Sequence, residues 1–164
     1  MRQDYDVLIV GAGVVGSSLA LALSHLPLRI ALIEQIPFRF EPPLSLDSKP
    51  IALNVASMRI LQTLALWPAL AAYANPIRQV HISQQACFAQ SRISAKDMGV
   101  AQLGCVIPAA RLGSELIKAL SECAAGKTAA KASLELFNPA QCQSISKTKQ
   151  AWQVLFSKEE NEKI

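Results

Sequence analysis

The chain has 164 residues, of which 51% are hydrophobic and 17% charged, enough apolar side chain for one packed core and too much for a disordered segment. Its net charge of +4 comes from lysines and arginines spread along the chain without a basic run, and the aromatic residues are scattered, which excludes the usual pattern of a nucleic-acid-binding surface. Cys87, Cys105, Cys123 and Cys142 stand 18 or 19 residues apart with no C-x-x-C pair and no nearby His, so no metal site is expected and they read as reduced, mostly buried thiols of a cytoplasmic protein.

The first element to explain is Asp6 to Leu26, DVLIVGAGVVGSSLALALSHL, which carries no charged residue after Asp6. By length alone it would serve as a signal peptide or a membrane span. Its flanks exclude the first, since MRQDYD is as acidic as it is basic and the apolar run closes on Ser24, His25, Leu26 and Pro27. The bunching of its glycines at one point excludes the second and divides the run. DVLIV is a continuous, partly β-branched run of buried-strand length, and VVGSSLALALSHL reads as a buried helix ending before Pro27.

Gly11, Gly13 and Gly16 fit G-x-G-x-x-G. Each meets a steric demand of a strand turning into a helix beneath a pyrophosphate: a tight turn, close approach of backbone to phosphate, and close packing of helix on strand. The amides from Ala12 to Val15 are expected to face the ligand at the positive end of the helix dipole. A second apolar strand follows at Arg29 to Glu34, RIALIE, and its terminal acid lies 23 residues after Gly11, where a βαβ unit carries its ribose-binding carboxylate. An acid there favours the unphosphorylated ribose of FAD or NAD over NADP. The competing reading is a turn that binds nothing, with Glu34 as a solvated strand end.

Gln35 to Pro50, QIPFRFEPPLSLDSKP, is rich in proline and turn residues and interrupts the αβ alternation of a plain NAD domain. In IALNVASMRILQTLALWPAL, Ile60, Leu61, Leu64 and Trp67 recur at helical spacing, which predicts an amphipathic helix followed by a turn at Pro68. Trp67 and its neighbouring leucines read as core. His81, in the alternating strand QVHIS, reads as a strand-face or core histidine, and His25 as a helix-terminal one without chemistry. A helix with Leu112, Leu116, Ile117 and Leu120 on its apolar face ends near Cys123. A polar connection, AAGKTAAKAS, leads to strand-like pieces at LELF, CQSISKT and QAWQVLFS, the last with Trp152, Val154 and Phe156 alternating with polar residues.

GAGVVG, the strand ending in Glu34, DSKPIAL, the helix ending in LALWPAL, IRQVHIS and LGCVIPAARLGSELIKAL together resemble the single-component FAD-dependent aromatic hydroxylases typified by para-hydroxybenzoate hydroxylase. Within that family they are most similar to the ubiquinone-biosynthesis branch, and the likeness runs from about Asp4 to Leu120. The resemblance implies an α/β fold: a Rossmann-like FAD/NAD(P)-binding βαβ domain with a β-rich insertion, incomplete at its C-terminus. Its expected divisions are a dinucleotide-binding unit and following helix at 1–75, the insertion at 76–108, and a helix and β-hairpin at 109–164.

The implied reaction uses NAD(P)H to reduce bound FAD and O2 to hydroxylate a prenylated phenol. Gly11, Ala12, Gly13, Val15 and Gly16 are then expected to hold the FAD pyrophosphate and Glu34 the adenosine ribose, with Gln35 beside it. Lys49 stands where the family usually has Arg near the flavin, and a point ammonium does not reproduce a planar guanidinium fork. Arg111 stands on the helix whose arginine usually reaches the cofactor. Read without the family, Lys49 is a solvated lysine in a Pro-flanked turn and Arg111 a surface arginine. No catalytic residue is identified.

The family's D-G and G-D motifs, which close over the cofactor and contact its ribitol, are not found. No D-G dipeptide occurs, and the Asp residues are Asp4, Asp6, Asp47 and Asp97. The chain therefore resembles about the first two-fifths of a hydroxylase, and weak or absent hydroxylase activity is expected of these 164 residues alone. A polyprenyl substrate would call for contact with the membrane surface or with other ubiquinone-biosynthesis proteins. Two alternatives stay open: a NAD-dependent dehydrogenase or flavin oxidoreductase, and a non-catalytic remnant serving as an interaction module.

Overall fold

The computed structural model describes residues 4–41, 49–83, 90–149 and 151–158. The chain divides into two compact units, one of residues 1–42 with 113–164 and the other of residues 43–112. Cys87 and residues 42–48 of the proline-rich run lie outside the described residues.

In the first unit, strand β1 (Val7–Val10), helix α1 (Val14–Leu23) and strand β2 (Arg29–Ile33) form the expected βαβ unit. β2 pairs in parallel with β1 on one side and with β8 (Ser133–Phe137) on the other, giving the sheet order β1-β2-β8. Being central explains the sequence of β2: Ile30, Ala31, Leu32 and Ile33 are all buried, the continuous apolar run that a strand covered on both faces requires. β9 (Ala140–Lys147) and β10 (Trp152–Lys158) form an antiparallel hairpin with an irregularity between Leu155 and Phe156. Val154, Phe156, Tyr5 and Leu8 pack against a cluster of Ala31, Ile33, Phe137 and Ala140. The Phe137 and Phe156 rings lie 4.7 Å apart between centroids, and Tyr5 meets Phe137 edge-on. Trp152, expected on the same apolar face, is 67% exposed, because the cluster ends before that part of the hairpin; Lys147 lies over its ring.

The second unit opens with β3 (Pro50–Asn54), helix α2 (Val55–Thr63), the short helix α3 (Trp67–Leu70) and a 3-10 turn at Ala71–Tyr73. The sequence expectation of one helix over this stretch is corrected here. PIALN pairs antiparallel with β7 (Gly104–Pro108), and the helix starts only after Asn54, whose side chain accepts the Ser57 N–H at 2.8 Å as an N-cap. Ile60, expected on the buried face, is 51% exposed, while Met58 and Leu61 turn inward. Pro68 stands in the first turn of α3, a position whose missing N–H costs nothing. β4 (Asn75–Ile77) completes the sheet order β3-β7-β4, and β5 (Gln79–Ser83) pairs with β6 (Gln90–Ser94).

Helix α4 (Ala109–Ala124) presents Leu112, Leu116, Leu120 and Cys123 as a buried stripe at helical spacing. Cys105 and Cys123 are buried, Cys142 is half-buried, and all three are free thiols. Among the described residues no helix is long and apolar enough to cross a membrane, and no group of His, Cys, Asp and Glu could hold a metal ion.

Candidate functional site

The turn between β1 and α1 is built as the glycine spacing requires. Gly11 has a φ of +97°, a left-handed conformation that costs an L side chain about 1–2 kcal/mol, and its N–H donates to the carbonyl of Ile33 at 2.8 Å, tying the turn to the end of β2. A Cβ built on Gly16 would overlap the carbonyl oxygen of Gly11 and press on Ile9, so glycine is what lets α1 lie against β1. Gly13 is the N-cap residue, with no side chain capping the helix, and a Cβ built there would meet nothing within 4 Å. The first amides of α1 have no acceptor within the helix. Val15, in that first turn, is 81% exposed. The fully buried Ser17 ties this turn together, its hydroxyl donating to the carbonyl of Ala12 at 2.7 Å.

Glu34 stands directly after β2. Its Oε2 accepts the N–H of Ala12 at 2.6 Å and its Oε1 accepts that of Ile36 at 2.7 Å. Of the amides from Ala12 to Val15, that of Ala12 is therefore held by the chain's own carboxylate. Each carboxylate oxygen keeps a second lone pair, so Glu34 can also accept a hydroxyl from a ligand.

Two clefts flank Glu34. One, of about 280 Å³, is lined by Val10, Gly11, Ile33, Gln35, Ala140 and Cys142 among others. The second, of about 260 Å³, lies between Ala12 and Gly13 on one side and Ile36, Pro37, Phe38 and Arg39 on the other. Gly11 and Gln35 thus line the first cleft, Ala12 and Gly13 the second, and Glu34 both, at the carboxyl ends of two parallel strands, with Val15 and Gly16 in the first turn of α1. That is the crevice where open α/β sheets bind ligands.

Lys49 and Arg111 belong to the other unit, where their segments meet. The pairing of Pro50 with Pro108 brings the Lys49 carbonyl to the N–H of Ala109 at 3.0 Å. The Lys49 residue is exposed, and the Arg111 guanidinium lies 4.2 Å from the centroid of the Tyr73 ring.

Sequence reasoning missed Asn138, between β8 and β9. Its Nδ2 donates to the carbonyls of Glu34 at 3.1 Å and Ile36 at 2.7 Å, and its Oδ1 accepts the N–H of Phe38 at 2.9 Å. The Asn-Pro dipeptide was a visible turn signal; its reach to residues a hundred positions earlier was not.

Fold and site together define a dinucleotide-binding βαβ unit whose uncapped helix end suits a pyrophosphate and whose strand-end acid suits a ribose. The chain belongs to the FAD binding domain family, which matches residues 4–151. It is 34% identical to the ubiquinone hydroxylase UbiL of Rhodospirillum rubrum over 82 residues, 47% of this chain and 18% of that protein. It is 39% identical to the ubiquinone hydroxylase UbiM of Neisseria meningitidis over 67 residues, 41% of this chain and 14% of that protein. The matched regions thus span less than a fifth of these curated relatives. Among solved structures, the OxyS anhydrotetracycline hydroxylase from Streptomyces rimosus matches 94% of this chain and 28% of its own, with a TM-score of 0.69 at 17% identity, which shows a shared fold.

Proposed function

We propose that this chain forms the dinucleotide-binding part of an FAD-dependent monooxygenase that hydroxylates a prenylated phenol in ubiquinone biosynthesis. The observation that carries the proposal is the bond between Glu34 and the Ala12 amide, beside the open end of α1 at Gly13. This arrangement would offer backbone donors to a diphosphate and, next to them, a carboxylate to the adjoining ribose. The similarity to two ubiquinone hydroxylases supports this substrate class, and within that branch the segments from GAGVVG to LGCVIPAARLGSELIKAL most resemble 2-octaprenyl-6-methoxyphenol hydroxylase.

In this reading the amides at Gly13 to Gly16 bind the pyrophosphate, Glu34 accepts the ribose hydroxyls, and Gln35 borders the adenosine. Lys49 and Arg111 serve the flavin end. Bound FAD, reduced by NAD(P)H, supplies the oxygen-transfer chemistry; the chain's part is to bind and orient it. The phenol, its polyprenyl tail, contact with the membrane surface and association with other ubiquinone-biosynthesis proteins belong to the proposal for the whole enzyme. So does a cytoplasmic location.

Titrating the purified chain with FAD, ADP and NAD, followed by flavin fluorescence and calorimetry, tests the reading. FAD is expected to bind more tightly than NAD, with ADP recovering part of the affinity. Equal or tighter binding of NAD would favour a nicotinamide-dependent enzyme, and no binding of any of the three would favour a non-catalytic module.

A further inference from the structure

We infer that Asn138 is a positioning residue for the adenosine half of the dinucleotide, acting through the segment Glu34 to Arg39. The inference rests on the dinucleotide reading above and extends it to a residue outside the glycine motif and the strand-end acid. The segment carries Glu34 at its start and lines the second cleft with Ile36, Pro37, Phe38 and Arg39. Burial can barely hold it: Phe38 is half-buried, but Gln35, Ile36, Pro37 and Arg39 are all exposed, Ile36 by 67%. Hydrogen bonds must do so instead, and they converge on the β8–β9 junction.

There the backbone ladder covers only Glu34, whose N–H donates to the Phe137 carbonyl at 2.9 Å and whose carbonyl accepts the Ala140 N–H at 2.8 Å. Beyond Glu34 the Asn138 side chain takes over, bonded to the Ile36 carbonyl and the Phe38 N–H as well as to the Glu34 carbonyl. A side-chain amide is suited to this, since it offers two N–H donors and an oxygen acceptor at one end of a short stem. Asp would lack the donors and Ala would lack everything. Fixing the Ile36 backbone also fixes the Ile36 N–H that holds Glu34 Oε1. Asn138 therefore orients the Glu34 carboxylate while lining neither cleft.

The test is a double-mutant cycle on the full chain with ADP as the probe, which carries the adenosine and diphosphate but no flavin. Asn138→Ala, Glu34→Ala and the double variant are titrated by calorimetry. Asn138→Ala is expected to weaken ADP about tenfold, the scale of one or two lost hydrogen bonds, and to cost at most about twofold more once Glu34 is already Ala, because coupled residues are not additive. Hydrogen exchange at Ile36 and Phe38 should quicken in the Asn138→Ala chain while exchange in β1 stays unchanged. Asn138→Ser, which keeps a polar group on a shorter stem, is made alongside in case the alanine variant does not fold, with the same expected signs. Full additivity of the two substitutions, or ADP affinity unchanged within twofold in a folded Asn138 variant, overturns the inference. Failure of the unaltered chain to bind ADP or FAD overturns the dinucleotide reading and the inference with it.

Discussion

Glu34 and Ala12, 22 positions apart in sequence, are joined by a 2.6 Å hydrogen bond from backbone N–H to carboxylate. The bond locks the glycine turn to the end of the neighbouring strand, and the same carboxylate holds the Ile36 N–H. The residue read from spacing as a ribose acceptor is therefore also a structural tie.

Glu34→Gln follows directly from that double role. A Gln side chain has one oxygen acceptor and turns an N–H₂ group toward one of the two backbone donors, so one charge-assisted bond is lost and a donor meets a donor. Hydrogen bonds to charged groups are worth about 1.5–3 kcal/mol, so FAD affinity is expected to fall about ten- to hundredfold. Flavin fluorescence titration reads this, and an unchanged affinity would remove Glu34 from the site.

Gly13 and Gly16 separate binding from folding. Gly16→Ala forces a Cβ into the Gly11 carbonyl, and overpacking of this kind costs about 1–3 kcal/mol, so the thermal midpoint should drop with or without ligand. Gly13→Ala adds a Cβ that meets nothing at a φ of −66° open to any residue. Its stability should change by less than about 1 kcal/mol while affinity for a diphosphate falls, since the methyl fills the approach. Equal loss of stability in both variants would contradict this assignment of roles.

The strand–turn–helix–strand core was legible because each element carried its own signal: a continuous apolar run for the buried β2, three glycines for the turn, and an acid at the strand end. IALN was misread because its residues continue smoothly into the periodicity of α2, and only the cap at Asn54 and the pairing with β7 mark the change. Trp152 was misread because alternation tells which face a residue takes but not how far the partner layer extends. The turn at Asn138 was locally visible but its partners were not, since they are set by β8 lying beside β2.

Tyr5 supplies a pH-dependent contribution. Its hydroxyl donates to Glu135 Oε2 at 2.5 Å, and burial, followed by that hydrogen bond and the carboxylate's charge, pushes its pKa from 10.0 up to about 12. The folded state therefore holds the phenolic proton more tightly than the unfolded chain. The resulting stabilisation is complete below pH 10 and is lost as pH rises toward about 12. Tyr5→Phe keeps the edge contact with Phe137 and removes the titration, so unfolding curves should lose that part of their alkaline slope. The substitution itself should cost about 1 kcal/mol at neutral pH. An identical slope in both chains would mean that another group controls alkaline unfolding.

Arg111 has two readings, and one variant distinguishes them. Its guanidinium lies over the half-exposed Tyr73 ring at 4.2 Å, a contact worth about 0.5–1 kcal/mol at such a site. If the arginine serves only the packing of its own unit, Arg111→Leu should lower stability by about that amount and leave FAD affinity unchanged. If it also serves the cofactor, FAD affinity should fall about tenfold, the worth of one charge-assisted bond, and by more than stability alone explains. Arg111→Lys sharpens the comparison, because the ammonium retains charge but not the planar fork. Under the cofactor reading it should recover only part of the lost affinity, measured by calorimetry at two salt concentrations so that simple screening is separated from geometry.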